Sequence, residues 1–223
     1  MTRILESRRR AAKSGSATSI MVFLHGYGAD AADLIGLADP LGEHLPDTLF
    51  VAPDAPERCA VNPAGYQWFP IPWIDGSDPA EAEKGMSSAI ADLDAYLDRV
   101  LEEEGIAAER MIVLGFSQGT MMALHVGLRR DAEFAGIIGF SGRLLRAETL
   151  QDEITARPPV LLLHGDQDDV VPPASMPEAA QALQDAGIDV FAHVMKGTAH
   201  GIAPDGLSLA LAFARERLGV EGT

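Results

Sequence analysis

Five short runs carry apolar residues at nearly every position: 20–24 (IMVFL), 48–52, Met111–Phe116 (MIVLGF), Gly136–Phe140 (GIIGF) and 160–163 (VLLL). A strand made from such a run must be covered on both faces. Antiparallel sheets commonly keep one wet face and alternate polar with apolar residues, whereas parallel sheets are buried on both sides. The runs are too short for helices, and turn signals stop them, His25-Gly26 after the first and Pro53 after the second. Residues 190–194 read as a last strand. Helical patterns lie between. Met86, Ile90, Leu93, Leu97 and Val100 form an amphipathic stripe that runs into Glu102–Glu104 and Gly105. Met121, Leu124 and Leu128 form another, and residues 179–186 and 206–218 read as later helices. Strands alternating with helices predict an α/β domain, a mostly parallel sheet flanked by helices. With 223 residues, no internal repeat and no linker, the chain suits a single domain.

Charge narrows the partners. The formal net charge is −16, a field that repels nucleic acid and anionic lipid surfaces, so neither nucleic-acid binding nor stable membrane association is expected. The charge is uneven: residues 1–13 hold five basic residues against one acid. Residues 1–15 are therefore expected as a solvated basic arm, with the folded domain over 16–223. The one cysteine, Cys59, excludes an internal disulfide and suits a reducing compartment. No run approaches 18 uninterrupted apolar residues, and no apolar stretch follows the basic N-terminus, so a cytoplasmic protein is expected. The six histidines are dispersed, without H-x-x-x-H or H-E-x-x-H spacing, and no nucleotide-binding glycine pattern occurs. Neither metal nor cofactor is expected.

The chemistry centres on Gly115-Phe116-Ser117-Gln118-Gly119, a G-x-S-x-G between a strand and a helical pattern. A serine there stands on a tight turn that exposes its hydroxyl near a helix N-terminus. A serine hydroxyl is a weak nucleophile and needs a base held by an acid. His200, in Gly197-Thr198-Ala199-His200-Gly201 after the last strand, is placed to be that base; His193, inside the strand pattern, is expected to be structural. The acid should follow the run 160–163, where Asp166, Asp168 and Asp169 compete in HGDQDDVVP. Asp166 stands in the tight turn, where an aspartate commonly bonds backbone, and Asp169 need not face the same way as its neighbour. Asp168 is favoured.

Acyl transfer also needs backbone amides aimed at the tetrahedral oxygen, each typically worth about 3–4 kcal/mol of transition-state stabilisation. The amide of Gln118 follows the nucleophile, and the amide of Leu24 opens Leu24-His25-Gly26-Tyr27-Gly28; these two are the expected oxyanion hole, with His25 structural. Residues 55–80 resist assignment to strand or helix and are rich in proline and aromatics, including Tyr66, Trp68, Phe69 and Trp73. Long loops in compact domains are often functional. Trp68 and Phe69 are expected on the substrate pocket, with Leu145 and Val170 as further walls; Leu144 is an alternative to Leu145.

Together LHGYG, APDAP, GFSQGT, FSG, HGDQDDVVP and the Gly201-flanked His200 make the chain resemble the small bacterial carboxylesterases related to acyl-protein thioesterases and lysophospholipases, from about residue 20 to 218. The resemblance implies a single-domain α/β-hydrolase fold with Ser117, Asp168 and His200 as a triad; the acid at the HGxxD position is Asp168. It implies cofactor-free hydrolysis of short- to medium-chain carboxylic esters through an acyl-enzyme, or alternatively of protein thioesters or lysophospholipids. Residues 65–70 (GYQWFP) are bulkier and richer in proline than in the thioesterase branch, so the loop should shape an acyl or alcohol pocket. Only residues 141–159 separate two strands where many lipases insert a lid, so an open site without a large lid is expected. A non-catalytic binding protein on the same fold is the rival from another class; it would be expected to lose part of the triad. Homodimers occur among such relatives, and the sequence leaves the oligomeric state open.

Overall fold

The doubly apolar runs become the middle of one sheet whose two faces are both covered. The structure is a computed structural model and describes residues 2–220. In chain order the strands are β1 (Ser7–Arg10), β2 (Ser19–Leu24), β3 (Thr48–Pro53), β4 (Glu57–Arg58), β5 (Tyr66–Gln67), β6 (Met111–Phe116), β7 (Gly136–Phe140), β8 (Val160–Gly165) and β9 (Val190–Met195). The helices are α1 (Ala31–Ile35), α2 (Ala38–Gly42), α3 (Pro72–Asp75), α4 (Pro79–Glu104), α5 (Gln118–Gly127), α6 (Leu150–Glu153), α7 (Ser175–Asp185) and α8 (Pro204–Arg217). The main sheet runs β1-β3-β2-β6-β7-β8-β9, parallel throughout except for β1, which is antiparallel to β3. β4 and β5 pair as a small antiparallel ribbon within the region 55–80.

Successive residues of a strand point to opposite faces. Ile20, Val22, Leu24, Met111 and Val113 join one buried cluster, completed by Leu93 and Leu97 of α4, Leu124 of α5 and Leu183 of α7. Met21, Phe23, Ile112 and Leu114 join the other, completed by Leu34 of α1, Leu41 of α2 and Phe213 of α8. The expected stripe sits on α4. Asp78 caps that helix by accepting from the amides of Ala80 and Glu81, Pro79 opens it, and Gly105 ends it in the left-handed conformation at φ 64°.

Residues 1–15 depart from expectation. The described part, residues 2–15, is not an arm outside the domain: β1 is an edge strand, registered Ser7 to Pro53 and Arg10 to Phe50. Their basic residues meet acids of the body. Arg9 bonds Glu103 at 2.7 Å and Glu104 at 2.8 Å, at the end of α4, and Lys13 bonds Glu43. Arg3 donates from its amide and from Nε to the buried Asp92, 2.6 Å each.

The sheet order places the site. From β2 the chain moves outward to β3, then returns to the opposite side of β2 as β6. β2 and β6 therefore flank the point where strand order reverses, and Leu24 lies level with Gly115. In open α/β sheets ligands bind beyond the carboxyl ends of the strands at such a point.

Candidate active site

Ser117 stands between β6 and α5 with φ 53° and ψ −116°, a conformation that an L-residue holds only under constraint. The constraint is visible. The Ser117 amide donates to the Phe140 carbonyl at 2.8 Å, and the Thr120 hydroxyl lies 2.8 Å from the carbonyls of both Gly115 and Phe140. A Cβ on Gly119 would stand 1.9 Å from the Leu24 carbonyl oxygen, so only glycine lets α5 start this close to the end of β2.

The loop after β8 separates the three aspartates. Asp168 is buried; its Oδ1 accepts from the amides of Val170 and Val171, 2.9 Å each, and its Oδ2 meets His200 Nδ1 at 2.8 Å. Burial pushes its pKa up, but the bonds from His200, Val171 and Val170 outweigh burial and hold it below the usual carboxylate range. Asp166 is exposed and accepts from the Gly197 amide at 2.7 Å, fastening its turn, and Asp169 faces solvent. His164 Nε2 lies 2.9 Å from the Val171 carbonyl and 3.2 Å from Asp168 Oδ2. The His200 ring lies against Phe116 with centroids 4.9 Å apart. His193 is on the surface, 2.8 Å from Asp205.

Ser117 and His200 face one cavity of about 200 Å³. Its other walls include Tyr27, Ile71, Trp73, Ile74, Phe116, Met121, Val170 and Val171. No hydrogen bond joins the Ser117 hydroxyl to His200; such contacts commonly tighten only around substrate. Of the four expected wall residues, only Val170 is there. Leu145 is buried in the core on the α5 side of the sheet. Phe69 is buried in the same core, and Trp68 is wholly buried behind the wall. The exposed aromatic of the 55–80 region is Trp73, on α3. α3 is tied to the loop after β2 by the Tyr27 hydroxyl, which donates to Asp75 at 2.9 Å, and Asp75 also accepts from the Ile71 and Ser77 amides. The sequence signal for this wall was available in Pro72-Trp73-Ile74-Asp75-Gly76, a one-turn helix bounded by Pro and Gly.

Trp68 has another place. Its indole Nε1–H donates to the His25 carbonyl at 3.0 Å. Its amide donates to Gln118 Oε1 at 2.9 Å, and Gln118 Nε2 donates to the Phe69 carbonyl at 2.8 Å. His25 is buried and structural, as expected. Its Nδ1–H donates to the Gly26 carbonyl at 2.8 Å and its Nε2 accepts from the Ala55 amide at 3.0 Å, a pattern that assigns the neutral tautomer. Burial lowers its pKa, which agrees.

The chain matches the phospholipase/carboxylesterase family model over residues 7–217. It is 31% identical over 222 residues to acyl-protein thioesterase 1 of Saccharomyces cerevisiae, covering 94% of this chain and 97% of the yeast protein. Esterase YpfH of Escherichia coli is 25% identical over 199 residues, 89% and 83% of the two chains. The crystal structure of esterase PE8 superimposes with a TM-score of 0.91 at 45% identity, over 97% of this chain and all of that one. A match of this length, on a parallel sheet whose reversal point holds a strained serine turn, establishes the chain as a member of the phospholipase/carboxylesterase family, hydrolases of the α/β-hydrolase fold.

Proposed function

We propose that the protein is a serine carboxylesterase that cleaves short- to medium-chain carboxylic esters with Ser117 as nucleophile, His200 as base and Asp168 as its orienting acid. The observation that carries this reading is the buried Asp168–His200 bond of 2.8 Å beside a cavity that Ser117 also faces. Asp168 holds a proton on His200 Nδ1, which leaves Nε2 free to take one. His200 takes the Ser117 proton as the serine oxygen attacks the ester carbonyl, and Asp168 stabilises the imidazolium. The amide of Gln118, a residue of the cavity wall, receives the oxyanion; Leu24, the second expected donor, is wholly buried at the end of β2 and does not line that cavity. The tetrahedral intermediate collapses, the alcohol leaves with the proton from His200, and water repeats the steps to free the acid.

Cavity size supports the acyl range. About 200 Å³ is smaller than the 300–1,000 Å³ typical of pockets for drug-sized ligands, and the walls are mostly apolar. The bonds that make Asp168 a carboxylate speak for an enzyme over a binding protein. One buried cysteine suits a reducing, cytoplasmic setting. The relatives named as thioesterases support a second reading, hydrolysis of S-acyl groups at the same serine.

Initial rates on p-nitrophenyl esters from acetate to palmitate test the proposal, with fluorophosphonate labelling of the same samples. The expected result is turnover favouring the shorter chains, label on Ser117, and a Ser117→Ala variant that folds but is slower by roughly 10⁴-fold or more. A variant that kept wild-type rates would remove the assignment. Matched oxygen and sulfur esters of one acid then rank the two readings.

A further inference from the structure

We infer that His164 is a positioning residue that holds the acid of the triad on His200. The inference rests on the proposed roles of Asp168 and His200. Asp168 lies in the loop that leaves β8 at Gly165, whereas His164 belongs to the strand itself and is paired with Val194 of β9. Its side chain ties the acid loop back to the sheet. His164 Nε2 lies 2.9 Å from the Val171 carbonyl, an oxygen that can only accept, so Nε2 carries the proton. The same nitrogen stands 3.2 Å from Asp168 Oδ2, the oxygen that meets His200 Nδ1 at 2.8 Å.

The two amides that grip the acid bond Oδ1 alone. They anchor one oxygen and leave the tilt of the other to its own neighbours, which are the two imidazoles. The Asp168 side chain is wholly buried and that of His164 is 2% exposed, so water cannot replace either ring. The N–H edge of His164 is the positive end of the ring, and it faces the carboxylate. An uncharged imidazole supports the carboxylate in this way without neutralising it, so the negative charge stays available to the imidazolium that forms on His200. A lysine or arginine in the same place would take a share of that charge. His164 does not line the cavity that Ser117 and His200 face, so it acts through Asp168 and not on the substrate.

The test is His164→Leu, which removes the donor and keeps an apolar side chain in its place, alongside His164→Gln, whose amide N–H stands as many bonds from the backbone as Nε2. Rates are normalised to the sites labelled by fluorophosphonate, so a partly unfolded sample does not mimic slow catalysis. In His164→Leu the expected result is a kcat on p-nitrophenyl butyrate lower by about tenfold to a hundredfold, the scale of a small misplacement of a catalytic group, with KM within about threefold. The adduct with an alkyl trifluoromethyl ketone, in which His200 is an imidazolium, should show a far-downfield proton resonance from Nδ1–H bonded to Asp168. That resonance should be lost in His164→Leu, and His164→Gln should recover both it and the rate. A fall in kcat of less than threefold in His164→Leu, a larger fall with the resonance in place, or a glutamine variant as slow as the leucine one would overturn the role of His164 while Ser117→Ala and Asp168→Asn stayed inactive. Wild-type rates in either of those two variants would instead overturn the reading beneath it.

Discussion

The loop that carries Asp168 and the excursion that carries Trp68 both end in buried polar contacts at one site, and they are held in opposite ways. Asp168 is gripped by amides two and three residues further along, Val170 and Val171. Trp68 reaches partners 43 and 50 residues away in the chain. A locally closed turn needs only its own residues in the right order. The long-range contacts exist only once the end of β2, α5 and the excursion have come together. The acid should therefore tolerate change elsewhere in the fold, while the contacts of Trp68 should report any shift between the loop after β2 and α5.

Asp168→Asn gives the largest effect and tests the local half. One oxygen, Oδ1, accepts both amide bonds, so an asparagine oxygen can keep the loop. The other position would then present an N–H to His200 Nδ1 and favour the wrong tautomer. The expected fall in kcat is roughly 10⁴-fold, with an unchanged circular dichroism spectrum and thermal midpoint near wild type. Activity within tenfold of wild type would show that the 2.8 Å bond to His200 does not set the tautomer.

The same contrast explains what the sequence disclosed. β6 and β7 fall where the apolar runs place them, because strands buried on both faces leave a composition that needs no tertiary knowledge. That Ser117, Asp168 and His200 come together at one end of the sheet was legible because a strained turn and a local carboxylate grip require particular residue types in order. β1 was not: Ser-Arg-Arg-Arg reads as a solvated run, yet an edge strand can be charged, and its partners Glu103 and Glu104 lie some ninety residues away. Trp68 was misplaced for a related reason. An aromatic-rich loop marks pockets in general, but which tryptophan faces the pocket depends on where a buried indole finds an acceptor, here the His25 carbonyl.

Acid should load the two halves unequally. His125 is buried in α5, the helix that begins at Ser117, and burial, aided by the Arg129 guanidinium, lowers its pKa from 6.5 to about 4. Above pH 6.5 it is neutral whether the chain is folded or not. Between 6.5 and 4 the unfolded chain binds a proton that the folded chain refuses, so stability falls with pH through that window and levels off below it. The loss is on the order of 2–3 kcal/mol. Urea unfolding at pH 7 and pH 4.5 measures it, and His125→Leu should remove that share of the slope. An equal slope in the variant would place the acid sensitivity elsewhere. On the other half Asp168 stays a carboxylate across the same range, since its pKa is already below the ordinary 3.8.

The smallest effect separates the two tryptophans of one excursion. Trp73 is 73% exposed and lines the cavity from α3, five residues beyond Trp68, which is fully buried. A wall residue contributes through apolar area covered by the acyl chain, equally in ground and transition states, so its loss raises KM and spares kcat. Trp73→Ala should raise KM for p-nitrophenyl octanoate by about threefold to tenfold, the equivalent of roughly 1 kcal/mol of lost apolar burial. The acetate ester, too short to reach that wall, should change less than twofold. A fall in kcat on the acetate ester as well would mean that α3 acts on the reacting centre, through Asp75 and its bond from Tyr27, and not on the acyl chain alone.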